Sequence, residues 1–232
     1  MARPTMKNDK ENLAELGGIF YPSKDENGKE IPFDSLYLPY IWKEIYFEGI
    51  YVDIFNNKTD MVVIDIGANC GLVTKYMRDY AKIIYAIEPS SQHFFALVKN
   101  KEFNKWDNVQ TFKMAIAGMD GEMVLNLDYQ NRTCHSLVLG GRDGGERVKT
   151  QTFATFMKEN NIKEVDFVKM DVEGAEESIL KSEGFTSVCH LIKAIEIEFH
   201  FPSYPELIEH MIKLGYSARR YESSAIVCLF TR

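Results

Sequence analysis

From Met61 onward, short runs of β-branched and aromatic residues alternate with amphipathic stretches. MVVIDIG (61–67), IIYAIEP (83–89), VQTFKMAIAG (109–118), VDFVKMDV (165–172) and LIKAIEIEF (191–199) read as strands, each short, apolar and suited to a pleated surface. Between them GLVTKYMRDY (71–80), SQHFFALVKNKEF (91–103), TFATFMKEN (152–160), GAEESILKS (174–182) and PELIEHMIKLG (205–215) read as helices. Regular alternation of this kind predicts a parallel sheet with helices on both faces. The end of the chain departs from it. GYSARRY and AIVCLFTR are separated only by Glu222-Ser223-Ser224, too few residues for a parallel crossover, so they are predicted to pair antiparallel.

Before Met61 the pattern is weaker. Residues 1 to about 16 are polar and expected to fray, and two apolar runs flank Asp25-Glu26-Asn27-Gly28, whose Asn-Gly is a hairpin signal. Leu38, Trp42, Ile45, Tyr46 and Ile50 can share one helical face, which predicts a helix over about 40–48. Its aromatic stripe suits a core more than a sugar platform. The chain therefore divides into an N-terminal extension (1–58) packing on a main domain (59–232). One insertion breaks the alternation at about 119–152. It holds a predicted strand, EMVLNLD, then a polar run with Gly140, Gly141, Gly144 and Gly145, expected to be mobile.

Composition narrows the function classes. The 232 residues are 45% hydrophobic and carry a formal net charge of -7, which supports one full core and disfavours nucleic acid as a partner. A small-molecule or glycan acceptor fits better. No apolar run approaches the roughly 20 residues that span a bilayer, and MARPTMKNDKEN lacks the apolar centre of a signal peptide. A soluble, cytoplasmic protein with no membrane span is expected. Cys70, Cys134, Cys189 and Cys228 are scattered without a CxxC pair, so reduced, packed thiols are expected rather than a zinc knuckle or a disulfide framework.

The first candidate for chemistry is Ile64-Asp65-Ile66-Gly67-Ala68-Asn69-Cys70-Gly71, which follows the first strand and opens a helix. Glycines there make the turn and let backbone approach a ligand. The GxxxG spacing lacks the full GxGxxG pattern, so a pyrophosphate is not the favoured ligand. Asp65 repels phosphate and suits an ammonium group. Glu88, followed by Pro89, ends the second strand about 20 residues on, where an acidic side chain takes ribose hydroxyls in nucleotide-binding sheets. A ligand with an amino-acid end, a ribose and no phosphate is S-adenosylmethionine. Glycine turns often only close a strand–helix corner, but Asp65, Glu88 and the terminal hairpin together outweigh that alternative.

The second candidate is acidic. Asp171 and Glu173 end one strand, and in the predicted neighbouring strand Glu196, Glu198 and His200 alternate onto one face while Ile195, Ile197 and Phe199 take the other. Ligands bind beyond the carboxyl ends of such strands. Methyl transfer to a hydroxyl needs an in-line acceptor and somewhere for its proton to go. Asp171 and His200 are the candidate bases, with Glu173 and Glu198 beside them. Alternatively Asp171, Glu196, Glu198 and His200 hold a divalent ion that lowers the acceptor's pKa. Against both stands a structural reading in which Lys169 pairs with Glu196 across the strands. Glu176 and Glu177 fit ordinary helix-dipole placement, and His93, His190 and His210 read as surface or packing residues. Arg132, Arg142 and Arg147 flank the glycine-rich insertion, where they either hold an anionic acceptor or form a solvated face.

IDIGANCG, AIEPS, AIAGMDGE, the serine of RTCHSL and above all VKMDVEGAE resemble the FkbM-type family of S-adenosylmethionine-dependent methyltransferases, over about residues 43–230. The resemblance implies a class I methyltransferase (Rossmann-like) α/β fold, with a mostly parallel seven-stranded sheet and a C-terminal antiparallel hairpin. It also implies O-methylation of a sugar, a glycan or a small natural-product hydroxyl. It assigns Asp65, Gly67, Ala68, Asn69 and Gly71 to the methionine end, Glu88 and Pro89 to the ribose, and the neighbourhood of Met114 and Ala115 to the adenine. Asp171 sits beside the cofactor, and His135 and Ser136 face the acceptor. The chain departs from the family at His135, where a small residue is usual before the serine. The rival functions are methylation of RNA, a cap or a nucleoside, and a non-catalytic module that binds S-adenosylmethionine or a nucleotide.

Overall fold

The computed structural model describes residues 6–8, 13–16, 19–22, 51–127, 135–138, 144–221 and 226–232. Strands β1 (Met6–Asn8), β2 (Leu13–Leu16) and β3 (Ile19–Pro22) form a small antiparallel sheet. Two strands thus lie in the polar segment expected to fray. Asn100 fixes the third: its Oδ1 accepts from Phe20 N at 2.6 Å, while its Nδ2 donates to Phe20 O at 2.8 Å and to Cys70 O at 2.6 Å. The hairpin at Asp25–Gly28 and the helix at 40–48 lie outside the described residues. Helix α1 (Val52–Phe55) brings Phe55 against Phe167, with ring centroids 5.2 Å apart.

The main domain runs β4 (Met61–Ile66), α2 (Leu72–Met77), β5 (Ala81–Ile87), α3 (Ser91–Phe103) and β6 (Val109–Phe112). After β7 (Ala115–Ile116), β8 (Gly121–Asn126), β9 (Gly145–Gln151) and α4 (Phe153–Glu159) come β10 (Phe167–Met170), α5 (Glu176–Leu180) and α6 (Glu183–Thr186). The chain closes with β11 (Ala194–Phe199), α7 (Tyr204–Lys213), β12 (Ser217–Arg220) and β13 (Ile226–Thr231). One seven-stranded sheet has the order β12-β13-β11-β10-β4-β5-β6, with β13 antiparallel to both neighbours and the other pairs parallel. This is the mostly parallel sheet with a terminal antiparallel pair that the alternation predicts.

Both faces of this sheet are buried, which is why its central strands are nearly continuous apolar runs. Val63 and Phe167 join the core under α2 and α3, while Ile64, Ile66, Val168 and Met170 join the core under the later helices. The chain winds outward from β4 in one direction to β6 and returns on the other side as β10 and β11. The crevice between the ends of β4 and β10 is therefore a topological switch point, where open α/β sheets bind ligands.

One expectation needs correction. The run 109–118 is not one strand: Met114 N bonds back to Phe112 O at 3.1 Å, and β7 leaves the main sheet to pair with β9. The flanks of the insertion, β8 and β9, pair antiparallel over Gly121–Asn126 and Gly145–Gln151. Asp120 secures its exit, accepting from Thr152 N and Thr155 Oγ1, each at 2.7 Å. Residues 128–134 and 139–143 of the insertion lie outside the described residues.

Candidate active site

The turn after β4 is shaped by its neighbours. Gly67 has φ +75°, and a Cβ there would lie 1.8 Å from the carbonyl oxygen of Asp171. The glycine is thus demanded by the end of β10, whatever ligand approaches it. Gly71, with φ +89°, lies under α3, where a Cβ would come within 2.7 Å of Leu97. Between them Asn69 adopts a left-handed conformation, caps Cys70 N with its own Oδ1 at 2.7 Å, and donates its backbone N–H to Glu88 Oε2 at 2.8 Å. Glu88 Oε1 accepts from Ser90 N at 2.9 Å. Burial pushes the Glu88 carboxyl up to about 7 despite these bonds.

A cavity opens beyond the ends of β4, β5 and β10, where open α/β sheets bind ligands. Of the residues expected at a cofactor, Gly67, Asn69, Glu88, Pro89, Ala115 and Asp171 line it; Glu173 and His135 join them. Its remaining walls are largely apolar, with Ile87, Ile116 and Leu125 prominent. Among the described residues no lysine or arginine lines it. Three carboxylates, largely apolar walls and no lysine or arginine among the described lining residues fit a cationic, ribose-bearing ligand without phosphate, which is the chemistry of S-adenosylmethionine.

Four residues expected at the cofactor do not line the cavity. Ala68, Gly71 and Met114 pack inward. Asp65 is fully buried beneath the turn, where its Oδ2 accepts from Thr74 Oγ1 at 2.5 Å and its Oδ1 lies 4.0 Å from Lys169 Nζ. Burial raises its pKa, against the opposing pull of Lys169 and Thr74. The ammonium group that Asp65 faces is therefore the protein's own. Lys169 and Glu196 are register partners on β10 and β11 as the sequence suggests, but the lysine reaches Gly67 O at 3.0 Å and Asp171 Oδ2 at 3.3 Å instead. Glu196 bonds the buried Tyr51 hydroxyl, and burial lifts its pKa to about 7.

The acidic rim closes around His200, which follows β11. Its Nδ1 lies 2.8 Å from Glu176 Oε1. Its Nε2 lies 3.4 Å from Glu173 Oε2, 3.7 Å from Glu198 Oε1 and 3.8 Å from Asp171 Oδ1. Burial alone would lower the imidazole's pKa, but the Glu176 hydrogen bond and the charges of Glu173 and Asp171 raise it to about 10. At neutral pH His200 is an imidazolium, so it serves as a counter-charge and not as a base. Ligand atoms of Asp171, Glu173 and His200 do fall within 4.8 Å of one another. A metal bound there would have to displace the proton that these carboxylates hold on the ring. Burial and the Asp171 charge raise the pKa of Glu198, against the opposing charges of His200 and Lys169. Glu176 had no expected role beyond the helix dipole; it is buried, also accepts from Gly174 N at 3.0 Å, and orients His200. Glu177 is exposed and pairs with Lys181 at 2.6 Å.

The insertion supplies the last wall. Ser136 does not face the cavity: its hydroxyl donates to Glu173 O at 2.5 Å and accepts from Val138 N at 3.1 Å, pinning the insertion to the acidic turn. His135 and Leu137, on either side of it, line the cavity. The His135 ring stacks on His93 with centroids 4.7 Å apart and planes 15° from parallel. His93 also lines the cavity, its Nδ1 3.9 Å from Glu88 Oε1, and burial holds it well below the usual imidazole range. The sequence pattern gives His93 only a packing role, although its place in the first turn after the Glu88 strand points to the cavity. Arg132 and Arg142 lie outside the described residues. Arg147 is exposed and lies 3.7 Å from Glu122.

Comparison with known proteins agrees with this geometry. The profile of the methyltransferase FkbM domain matches residues 65–218. Methyltransferase 1 of the fungus Beauveria bassiana is 28% identical over 174 residues, covering 65% of this chain and 69% of its own. Among solved structures, an rRNA methylase from Streptococcus thermophilus superposes with a TM-score of 0.50 at 9% identity, covering 78% of this chain and 90% of that one. A Streptococcus mutans protein solved in complex with S-adenosylhomocysteine gives 0.50 at 9% identity, covering 77% and 93%. These two likenesses show the fold, that of a class I methyltransferase. With two thirds of its length matched, the chain belongs to the FkbM methyltransferase family, and its methyl donor is S-adenosylmethionine.

Proposed function

We propose that this methyltransferase acts on an oxygen, the hydroxyl of a sugar, a glycan or a small natural product, and that Asp171 receives the acceptor's proton. One observation carries this reading. The Asp171 carboxylate is held through Oδ2 by Lys169, its buried Oδ1 lies 3.8 Å from His200 Nε2 without a hydrogen-bond partner among the described residues, and the residue is part of the cavity lining. A buried acceptor oxygen without a donor is costly, and a substrate hydroxyl is the donor that would satisfy it.

When bound, S-adenosylmethionine supplies an electrophilic methyl group on a sulfonium. The chain's part is to hold, orient and accept. Glu88 receives ribose hydroxyls, the turn at Gly67–Asn69 lies against the methionine end, and the apolar wall at Ala115 and Ile116 takes the base. Asp171 Oδ1 orients the acceptor's O–H and takes its proton as the oxygen attacks. The His200 imidazolium keeps Glu173 and Glu198 from repelling that carboxylate. On this reading residues 59–232 form the methyltransferase domain and residues 1–58 are an N-terminal extension to it.

The test is release of S-adenosylhomocysteine across a panel of glycans, sugars and hydroxyl-bearing natural products, set against RNA, cap analogues and nucleosides. Turnover confined to the first group supports the proposal. Turnover confined to RNA or nucleosides refutes it, and tight cofactor binding with no turnover on either group favours a non-catalytic module.

A further inference from the structure

Lys169 is the one buried cation of the crevice among the described residues, and its contacts join two parts of the site that the chain keeps apart. It belongs to β10, opposite Asp65 of β4 in register, with its side chain 9% exposed. Its three ammonium protons have three oxygens to face. Gly67 O of the turn after β4 lies at 3.0 Å, Asp171 Oδ2 after β10 at 3.3 Å, and Asp65 Oδ1 at 4.0 Å. One oxygen of Asp171 is thereby taken and the other, Oδ1, is left without a hydrogen-bond partner among the described residues. A lysine placed only to balance charge would meet its cross-strand partner Glu196, yet that carboxylate bonds Tyr51.

We propose that Lys169 is a positioning residue, which fixes the orientation of Asp171 for methyl transfer by tying its carboxylate to the Gly67 carbonyl of the cofactor turn. The inference rests on the assignment of Asp171 as proton acceptor. Burial alone would favour loss of the lysine's proton, but Asp171, Asp65 and Glu198 more than offset it and keep the group charged. A neutral donor would hold the same oxygen without stabilising the ionised carboxylate. A misplacement of about 1 Å in a reacting group costs on the order of 100-fold in rate, so the geometry matters as much as the charge.

Lys169→Met and Asp171→Asn, singly and together, test this with the acceptor that gives the fastest release of S-adenosylhomocysteine. Lys169→Met should lower kcat on the order of 100-fold while the Kd for S-adenosylhomocysteine changes by less than about threefold. In the Asp171→Asn background it should add less than about threefold, because the two act through one group. Normal kcat in Lys169→Met beside an impaired Asp171→Asn, or losses that simply multiply, overturns the proposal alone. Normal turnover in Asp171→Asn removes the reading beneath it. If the methionine variant does not fold, Lys169→Gln is read by the same outcomes.

Discussion

Raising the pH from 6 to 8 should tighten binding of S-adenosylhomocysteine, and Glu88 should be the reason. Burial holds this carboxyl at about 7, although Ser90 N and Asn69 N both donate to it. Ribose hydroxyls would donate to it as well, and each such bond favours the ionised form. Binding therefore releases a proton at a pH below about 7, and affinity rises with pH until the free carboxyl is already ionised. One pH unit below the midpoint the loss is about tenfold, or about 1.4 kcal/mol, and one unit above it is negligible. Calorimetry at pH 6, 7 and 8 reads this directly, and the proton release appears as a dependence of the heat on buffer ionisation. Glu88→Gln sharpens the test. Its amide can accept on only one side, so Asn69 N or Ser90 N faces an NH2 group, a mismatch that costs about 1–3 kcal/mol. The variant should bind weakly at every pH and show no slope. A wild-type affinity that is flat or falls between pH 6 and 8, or a slope that survives in Glu88→Gln, would refute the reasoning.

Three other outcomes follow from the same geometry. Gly67→Ala must accommodate a Cβ 1.8 Å from Asp171 O as well as φ +75°, and should cost about 3 kcal/mol or more in thermal melts and weaken cofactor binding. Gly121→Ala, where φ is +145° but no atom lies within 4 Å, is the control for backbone strain alone. The His200 pKa is raised from about 6.5 to about 10, so its stabilising contribution is complete below the lower value and lost as pH rises through the upper. The melting-temperature gap between wild type and His200→Gln should shrink steadily over that window, from a starting difference on the order of 1–3 kcal/mol; a gap that widens would contradict the charge assignment. A divalent ion at Asp171, Glu173 and His200 would have to displace the imidazolium proton, so methyl transfer should persist in excess EDTA, and abolition of turnover restored by a divalent salt would show the opposite.

The sheet was legible in the sequence because strands buried on both faces must be apolar throughout, and a three-residue connection cannot cross over. The alternation in LIKAIEIEFH also placed Glu198 and His200 toward the strand end where Asp171 and Glu173 emerge. What pattern could not supply was direction and charge. A carboxylate in a strand-end turn can face ligand or core, and for Asp65 the choice is made by Thr74 and Lys169, which belong to other elements. His200 looks like a base in isolation; four carboxylates, on both sides of the α5 turn and at the end of β11, make it a cation. Glu176 resembles any acidic residue opening a helix until His200 is brought 2.8 Å from it. Strands β1 and β2 are too short to show a hydrophobic period; β1 is ordered by pairing with β2, and β2 by pairing with β3, which Asn100 holds.

The assignment of Asp171 is tested most directly by single-turnover methyl transfer in Asp171→Asn at saturating cofactor and acceptor. Loss of the proton acceptor should lower the transfer rate by a factor of about 100 or more, while the Kd for S-adenosylhomocysteine stays near the wild-type value. Transfer at the wild-type rate would mean that Asp171 Oδ1 takes no part in the chemistry.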